Sequence, residues 1–78
     1  MLWQYFGDNM QFGERLKSLR LEKNLNQTQL AQNLKFKVTQ QAIDLWEKGK
    51  RLPRADYIVL LADYFGVSAD YLLGRTDY

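Results

Sequence analysis

Apolar residues recur along this chain at the three- and four-residue spacing of helices rather than the alternate spacing of strands. Phe12, Leu16 and Leu19 fall at i, i+4 and i+7, and Arg15, Lys17, Arg20 and Lys23 fill much of the remaining surface. This stripe predicts an amphipathic helix over about 11–23. Asn24 supplies its stop, because asparagine tolerates the left-handed conformation that ends helices. Asn26 then opens a second, short helix over about 27–34, with Gln29 three residues on as the partner in a capping box. Leu30, Ala31 and Leu34 form its buried face. Thr39 caps a third helix over about 40–48, whose Ile43 and Trp46 face inward and whose run ends at Gly49. Pro53 suits the start of a fourth helix, on which Tyr57, Ile58, Leu61, Ala62 and Phe65 make the apolar face and Gly66 the stop. Ser68 caps a last short helix, with Asp70 in its first turn, Leu72 and Leu73 inward and Gly74 at its end.

Five short helices joined by turns of a few residues predict a compact all-α domain. The closely spaced second and third form a helix-turn-helix pair. This places a domain at 11–74, an apolar N-terminal extension at 1–10 and a short tail at 75–78. In the extension, Leu2, Trp3, Tyr5 and Phe6 are costly to leave in water. Fold-back onto the domain, an arm crossing to a second subunit, and disorder all stay open for them.

Composition narrows the function classes. At 78 residues a single core is near the lower limit of stability, and without cysteine no disulfide can help. With no histidine or cysteine and no paired carboxylates, nucleophilic, acid–base and metal chemistry lack their usual groups, so no enzyme, metal or cofactor is expected. No segment approaches the roughly 18 apolar residues of a membrane span, and the N-terminus lacks a secretion signal. A cytoplasmic protein is the expectation.

The net charge of +2 says little, but its distribution says more. Between Gln11 and Arg54 ten Lys/Arg face four acids, whereas from Ala55 to Tyr78 one arginine faces four aspartates. A basic end suits a polyanion, although an ordinary solvated surface would read the same way.

From Phe12 to Gly74 the sequence resembles the helix-turn-helix family of phage repressors, Cro proteins and their bacterial relatives. The pieces that carry the resemblance are Arg15-Leu16, Leu19-Arg20, Leu25-Asn26-Gln27, Leu30-Ala31 and Leu34. They continue with Val38 to Ile43, Trp46 to Pro53, Leu61-Ala62, Phe65 to Ser68 and Asp70 to Gly74. The set in this order is specific although no single piece is.

The resemblance implies a lambda-repressor-like fold whose third helix enters the major groove of double-stranded DNA. Gln40 and Gln41 match base-reading positions, and a glutamine amide can pair with adenine N6 and N7. Asp44 and Leu45 are further candidates for base contact, through cytosine N4 and a thymine methyl, or are plain surface residues. Gln27 matches a residue that donates to a phosphate and buttresses the first recognition residue. Thr39, Lys48, Lys50, Arg51 and Arg54 match backbone-gripping positions, and Arg20 and Glu47 match a partly buried ion pair. Each also has a bland reading, as a surface amide or an unpaired charge.

One departure stands out. Lys35-Phe36-Lys37 replaces the single glycine usual in the turn, so either the second helix runs on by half a turn or the turn bulges. Lys35 and Lys37 would then add phosphate contacts while Phe36 packs beneath them. The acidic, aromatic C-terminal part resembles a dimer surface. A homodimer would set its recognition helices about 34 Å apart on a near-palindromic operator.

The function expected is therefore transcriptional regulation, as a repressor, with no small-molecule effector evident. The alternative is a protein-interaction module, such as an antitoxin-like partner, built on the same fold.

Overall fold

Each of the five helices sends at least one fully buried side chain to a common centre. In the computed structural model, which describes the backbone of residues 2–77 and the side chains of residues 10–77, the elements are α1 (Leu2–Glu22), α2 (Gln27–Asn33), α3 (Gln40–Glu47), α4 (Ala55–Phe65) and α5 (Ala69–Leu72). Phe12 and Leu16 of α1, Leu30 of α2, Ile43 of α3, Leu61 of α4 and Leu72 of α5 are the fully enclosed residues. Leu19, Leu34, Trp46, Ile58 and Ala62 complete the core. Burying one such large side chain stabilises by about 1.5–3 kcal/mol, which is how a chain without disulfides holds five short helices together. Most are too short to persist alone. Five helices in this order, with no strand among the described residues, are what the resemblance implied.

Local signals set the boundaries. Asn26 Oδ1 accepts from the Gln29 backbone N–H at 2.7 Å, and Gln29 Oε1 accepts from the Asn26 N–H at 2.9 Å, so the capping box at α2 is closed. Thr39 Oγ1 accepts from the Ala42 N–H at 3.1 Å and Ser68 Oγ from the Tyr71 N–H at 2.9 Å, opening α3 and α5. At the other end, α1 stops where Asn24 takes φ 59° and the Leu25 N–H reaches back to the Arg20 carbonyl. Gly66 ends α4 in the same left-handed conformation, with the Val67 N–H bonded to the Ala62 carbonyl.

One boundary differs from the sequence reading, and at the turn one of the two alternatives left open is the one observed. The first helix begins at Leu2, not near residue 11, so the backbone of the N-terminal extension continues α1 into a rod about 31 Å long. Gly7-Asp8-Asn9 contains no proline, and one interior glycine costs only about 1 kcal/mol, too little to break a helix that is already propagating. The side chains of Leu2, Trp3, Tyr5 and Phe6 lie outside the described residues, and so do the alternatives raised for them. In the turn, α2 does not run on: it ends at Asn33, and Leu34 adopts extended backbone. The extra length lies in an irregular turn over 34–39.

That turn is anchored. The Phe36 ring stacks on Tyr57 of α4 with centroids 4.9 Å apart, and Tyr57 in turn lies 6.4 Å from the Trp46 ring. Arg54 covers the same tyrosine, its guanidinium 4.6 Å from the ring centre. Across the molecule, Arg15 of α1 donates to the carbonyls of Tyr71 and Thr76 and lies 4.4 Å over the Tyr71 ring, tying the tail to α1.

The α1–α3 crossing depends on Gly13. A Cβ at this buried position would lie 2.5 Å from the Glu47 carbonyl oxygen and 2.6 Å from that of Trp46. Backbone cannot give way as a side chain can, so Gly13→Ala must push α1 off the end of α3. Against a gain in helix propensity of at most about 1 kcal/mol, overpacking costs about 1–3 kcal/mol or more. Gly13→Ala is therefore expected to lower the Tm by several degrees in a calorimetric or circular-dichroism melt. An unchanged or higher Tm would show that the crossing relaxes freely.

Candidate nucleic-acid interface

Helix α3 turns Ile43 and Trp46 into the core, which leaves Gln41 and Lys48 exposed on the far side and Gln40, Asp44 and Leu45 half-buried along its flanks. The outer surface is thus amide- and charge-bearing, apart from Leu45. Its first turn is held by Thr39, whose hydroxyl oxygen accepts from the Ala42 N–H.

Side chains from three helices converge behind this surface. Arg20 of α1 meets Glu47 of α3 in a two-point ion pair, Nε donating to Oε2 at 2.6 Å and Nη2 to Oε1 at 2.9 Å. Both side chains are enclosed, 8% and 4% exposed. Arg20 Nη1 also donates to the Leu25 carbonyl at 2.8 Å, so the guanidinium joins the end of α1, the entry to α2 and the end of α3. The hydrogen bond and charge of Glu47 raise the Arg20 pKa above its ordinary value, against the opposing effect of burial.

Gln27, at the start of α2, links this pair to the outer surface of α3. Its Nε2 donates to Glu47 Oε1 at 3.1 Å and to Asp44 Oδ1 at 3.2 Å, and its Oε1 accepts from Gln40 Nε2. Both amide hydrogens of Gln27 are therefore engaged, and none is left for the phosphate contact that the resemblance implied. The buttress to Gln40 is present in the geometry. Asp44 is occupied too: Lys48 Nζ lies 2.8 Å from its other oxygen, one helical turn on. The bonds from Lys48 and Gln27 hold the Asp44 carboxyl below its ordinary pKa.

The basic residues fall into two exposed groups on either side of α3 in the chain. Lys35 and Lys37 belong to the long turn, and Lys50, Arg51 and Arg54 to the segment between α3 and α4. Among the described residues no salt bridge engages Lys35, Lys37, Lys50 or Arg51, whereas Arg54 is paired with Asp56 at 3.1 Å. The carboxylate of Asp44 feels Lys50 as well as Lys48. Among the described residues no cluster of acids could hold a metal ion, and no helix is long and apolar enough to cross a membrane.

Three features escape a sequence reading. Gly13 gave a signal, since a glycine beside Phe12 in a helical stripe marks a close approach, but not the identity of the opposing element. Arg15 looks like one more surface cation and is instead a tether for the tail. The diversion of the Gln27 amide to Asp44 had no local signature at all, because it joins residues 17 positions apart.

Breaking the buried ion pair from one side leaves an enclosed charge without its partner, which costs about 3 kcal/mol or more. Glu47→Ala is expected to lower the Tm by on the order of 10–20 °C, while the double variant R20M/E47L recovers much of the loss. A loss of only a few degrees in the single variant would mean that the pair is solvated. Asp44 gives a separate acid signature. Its folded pKa is depressed, so its contribution is complete above the ordinary carboxylate range and is lost as pH falls through the lower folded value. Between about pH 4 and pH 2, the wild-type Tm should fall more steeply than that of Asp44→Asn. Parallel slopes would remove Asp44 from the account.

Comparison with known proteins agrees with this architecture. Residues 16–72 match the helix-turn-helix family. The chain is 42% identical over 64 residues to the HTH-type transcriptional activator BcrR of Enterococcus faecalis, covering 82% of this chain and 30% of that protein. It is 38% identical over 65 residues to the prophage-derived HTH-type transcriptional regulator YonR of Bacillus subtilis, covering 83% and 58%. It is 36% identical over 64 residues to the regulator YobD of the same organism, covering 82% and 55%. The chain thus spans between about a third and three-fifths of the length of these relatives. With its core, its caps and its paired second and third helices in the order this match requires, the chain belongs to the helix-turn-helix family, a class of DNA-binding domains rather than of enzymes.

Proposed function

We propose that this chain binds double-stranded DNA with sequence preference, α3 lying in the major groove, and regulates transcription from the site it occupies. The observation that carries this reading is Gln40, hydrogen-bonded through one amide hydrogen to Gln27 at the outer start of a helix that is flanked in the chain by two sets of exposed cations. Such a side chain keeps one N–H and its oxygen for a base edge, and adenine offers the matching acceptor and donor. Gln41 is exposed beside it, and Leu45 supplies the one apolar contact suited to a thymine methyl.

Phosphate contacts come from Lys35, Lys37, Lys48, Lys50, Arg51 and Arg54, with Thr39 at the head of α3. These supply most of the affinity and none of the sequence information. The proposal extends to a homodimer on a near-palindromic operator, two recognition helices then lying about one DNA turn apart. Repression is the direction adopted, since occupying a promoter is enough to block it. One relative is named an activator, so a promoter–reporter measurement decides the sign.

Fluorescence anisotropy with random duplex DNA tests the first step. With six or more phosphate contacts, affinity should fall by about a thousandfold or more between roughly 50 and 200 mM salt. Lys37→Ala and Arg51→Ala should each reduce the salt slope by about one. The double variant Q40A/Q41A should keep that slope and lose preference among selected sites. No binding at the lower salt overturns the proposal and points to a protein partner for this fold.

A further inference from the structure

Asp44 stands on the recognition helix as an acid facing a polyanion, and its side chain is turned to its neighbours rather than left free. Together with Glu47 it takes both amide hydrogens of Gln27. An amide whose nitrogen is held by two carboxylates has its direction fixed, because turning it over would set its oxygen against two anions. The Gln27 oxygen must then point the other way, and there it accepts from Gln40. The polarity passes along the chain of bonds: Gln40 has to offer nitrogen inward, which leaves it one N–H and one oxygen to face outward.

We propose that Asp44 and Glu47 are positioning residues that set the base preference of Gln40 through the Gln27 amide, selecting adenine over guanine at the base pair Gln40 faces. The inference rests on the base-reading role of Gln40 proposed above. Adenine presents N7 as acceptor and N6 as donor, which suits one outward N–H and one outward oxygen. Guanine presents two acceptors, N7 and O6, so the fixed oxygen of Gln40 would face O6 with no hydrogen between them. A glutamine free to turn over, or with both hydrogens free, carries no such penalty. Glu47 is itself held by Arg20, and Asp44 by Lys48, so each acid that orients Gln27 has its own charge compensated. Asp44 therefore acts through Gln27 and makes no base contact of its own.

The test begins with selection of binding sites from random duplex DNA by the full chain and by Gln40→Ala. The base pair whose preference disappears in Gln40→Ala is the one Gln40 reads. Dissociation constants are then compared for A·T and G·C at that pair in wild type, Gln27→Met and Asp44→Ala, each first checked for a cooperative melt. Wild type should favour adenine by about 5- to 150-fold. Gln27→Met, which keeps the length of the side chain without its amide, should bring the ratio close to one. Asp44→Ala should lower it about three- to fivefold, since Glu47 still holds one amide hydrogen.

In a Gln40→Ala background neither change should alter the ratio further, a dependence that a merely structural role would not show. Wild-type ratios in both folded variants, with the preference still lost in Gln40→Ala, would overturn the inference and leave the base-reading role standing. The same holds if the variants still shift the ratio when Gln40 is absent. A Gln40→Ala protein that selects the same site as wild type would instead remove the base-reading role, and this inference with it.

Discussion

The arrangement of the first three helices depends on one enclosed guanidinium. Arg20 reaches from α1 to the carboxylate at the end of α3 and to the carbonyl that precedes α2, so three elements share one cation. An apolar contact there would bury surface but would leave rotation free. A planar, two-point pair fixes direction, and so sets how α3 lies against α1 and α2. The same carboxylate oxygen that receives Arg20 also receives Gln27, so the orientation of α3 and the orientation of an amide behind its first residue are determined together. Gly13 makes this possible from the other side, because only a residue without Cβ lets α1 approach the last carbonyls of α3 so closely.

The helices were legible because their signals are local. Asn26 with Gln29, Thr39, Ser68, Asn24 and Gly66 each act within one turn of the residue that reveals them, and each element from α2 to α5 ends within about two residues of its expected place. The core was legible for the same reason, since a 3.6-residue period is enough to sort Phe12, Leu16, Leu30, Ile43 and Leu61 inward. The start of α1 was not, because nothing before Phe12 marks a boundary and a helix continues by default once formed.

Pairings across the chain were legible only through resemblance. Arg20 and Glu47 were paired on that ground, while the bonds from Gln27 to Asp44 and from Arg15 to the tail carry no periodic or compositional trace. Charge patterning showed that residues 11–54 of the domain are basic. It could not show which cations are spent internally. Arg20 and Arg15 are bound up in the fold, so the cations presented to solvent are fewer than the raw count of positive residues.

The longer turn has a consequence in evolutionary terms. Phe36 is held by Tyr57, a residue some twenty positions away on α4, and that tyrosine also lies against Trp46 on the buried face of α3. A deletion that restored a one-residue turn would strip the outer face of Tyr57, and a small residue at 57 would leave Phe36 with no platform. Neither change is neutral alone. The length of the turn and the residue at 57 therefore form one inherited unit, and lineages should gain or lose the two together, while the exposed Lys35 and Lys37 on either side are free to vary.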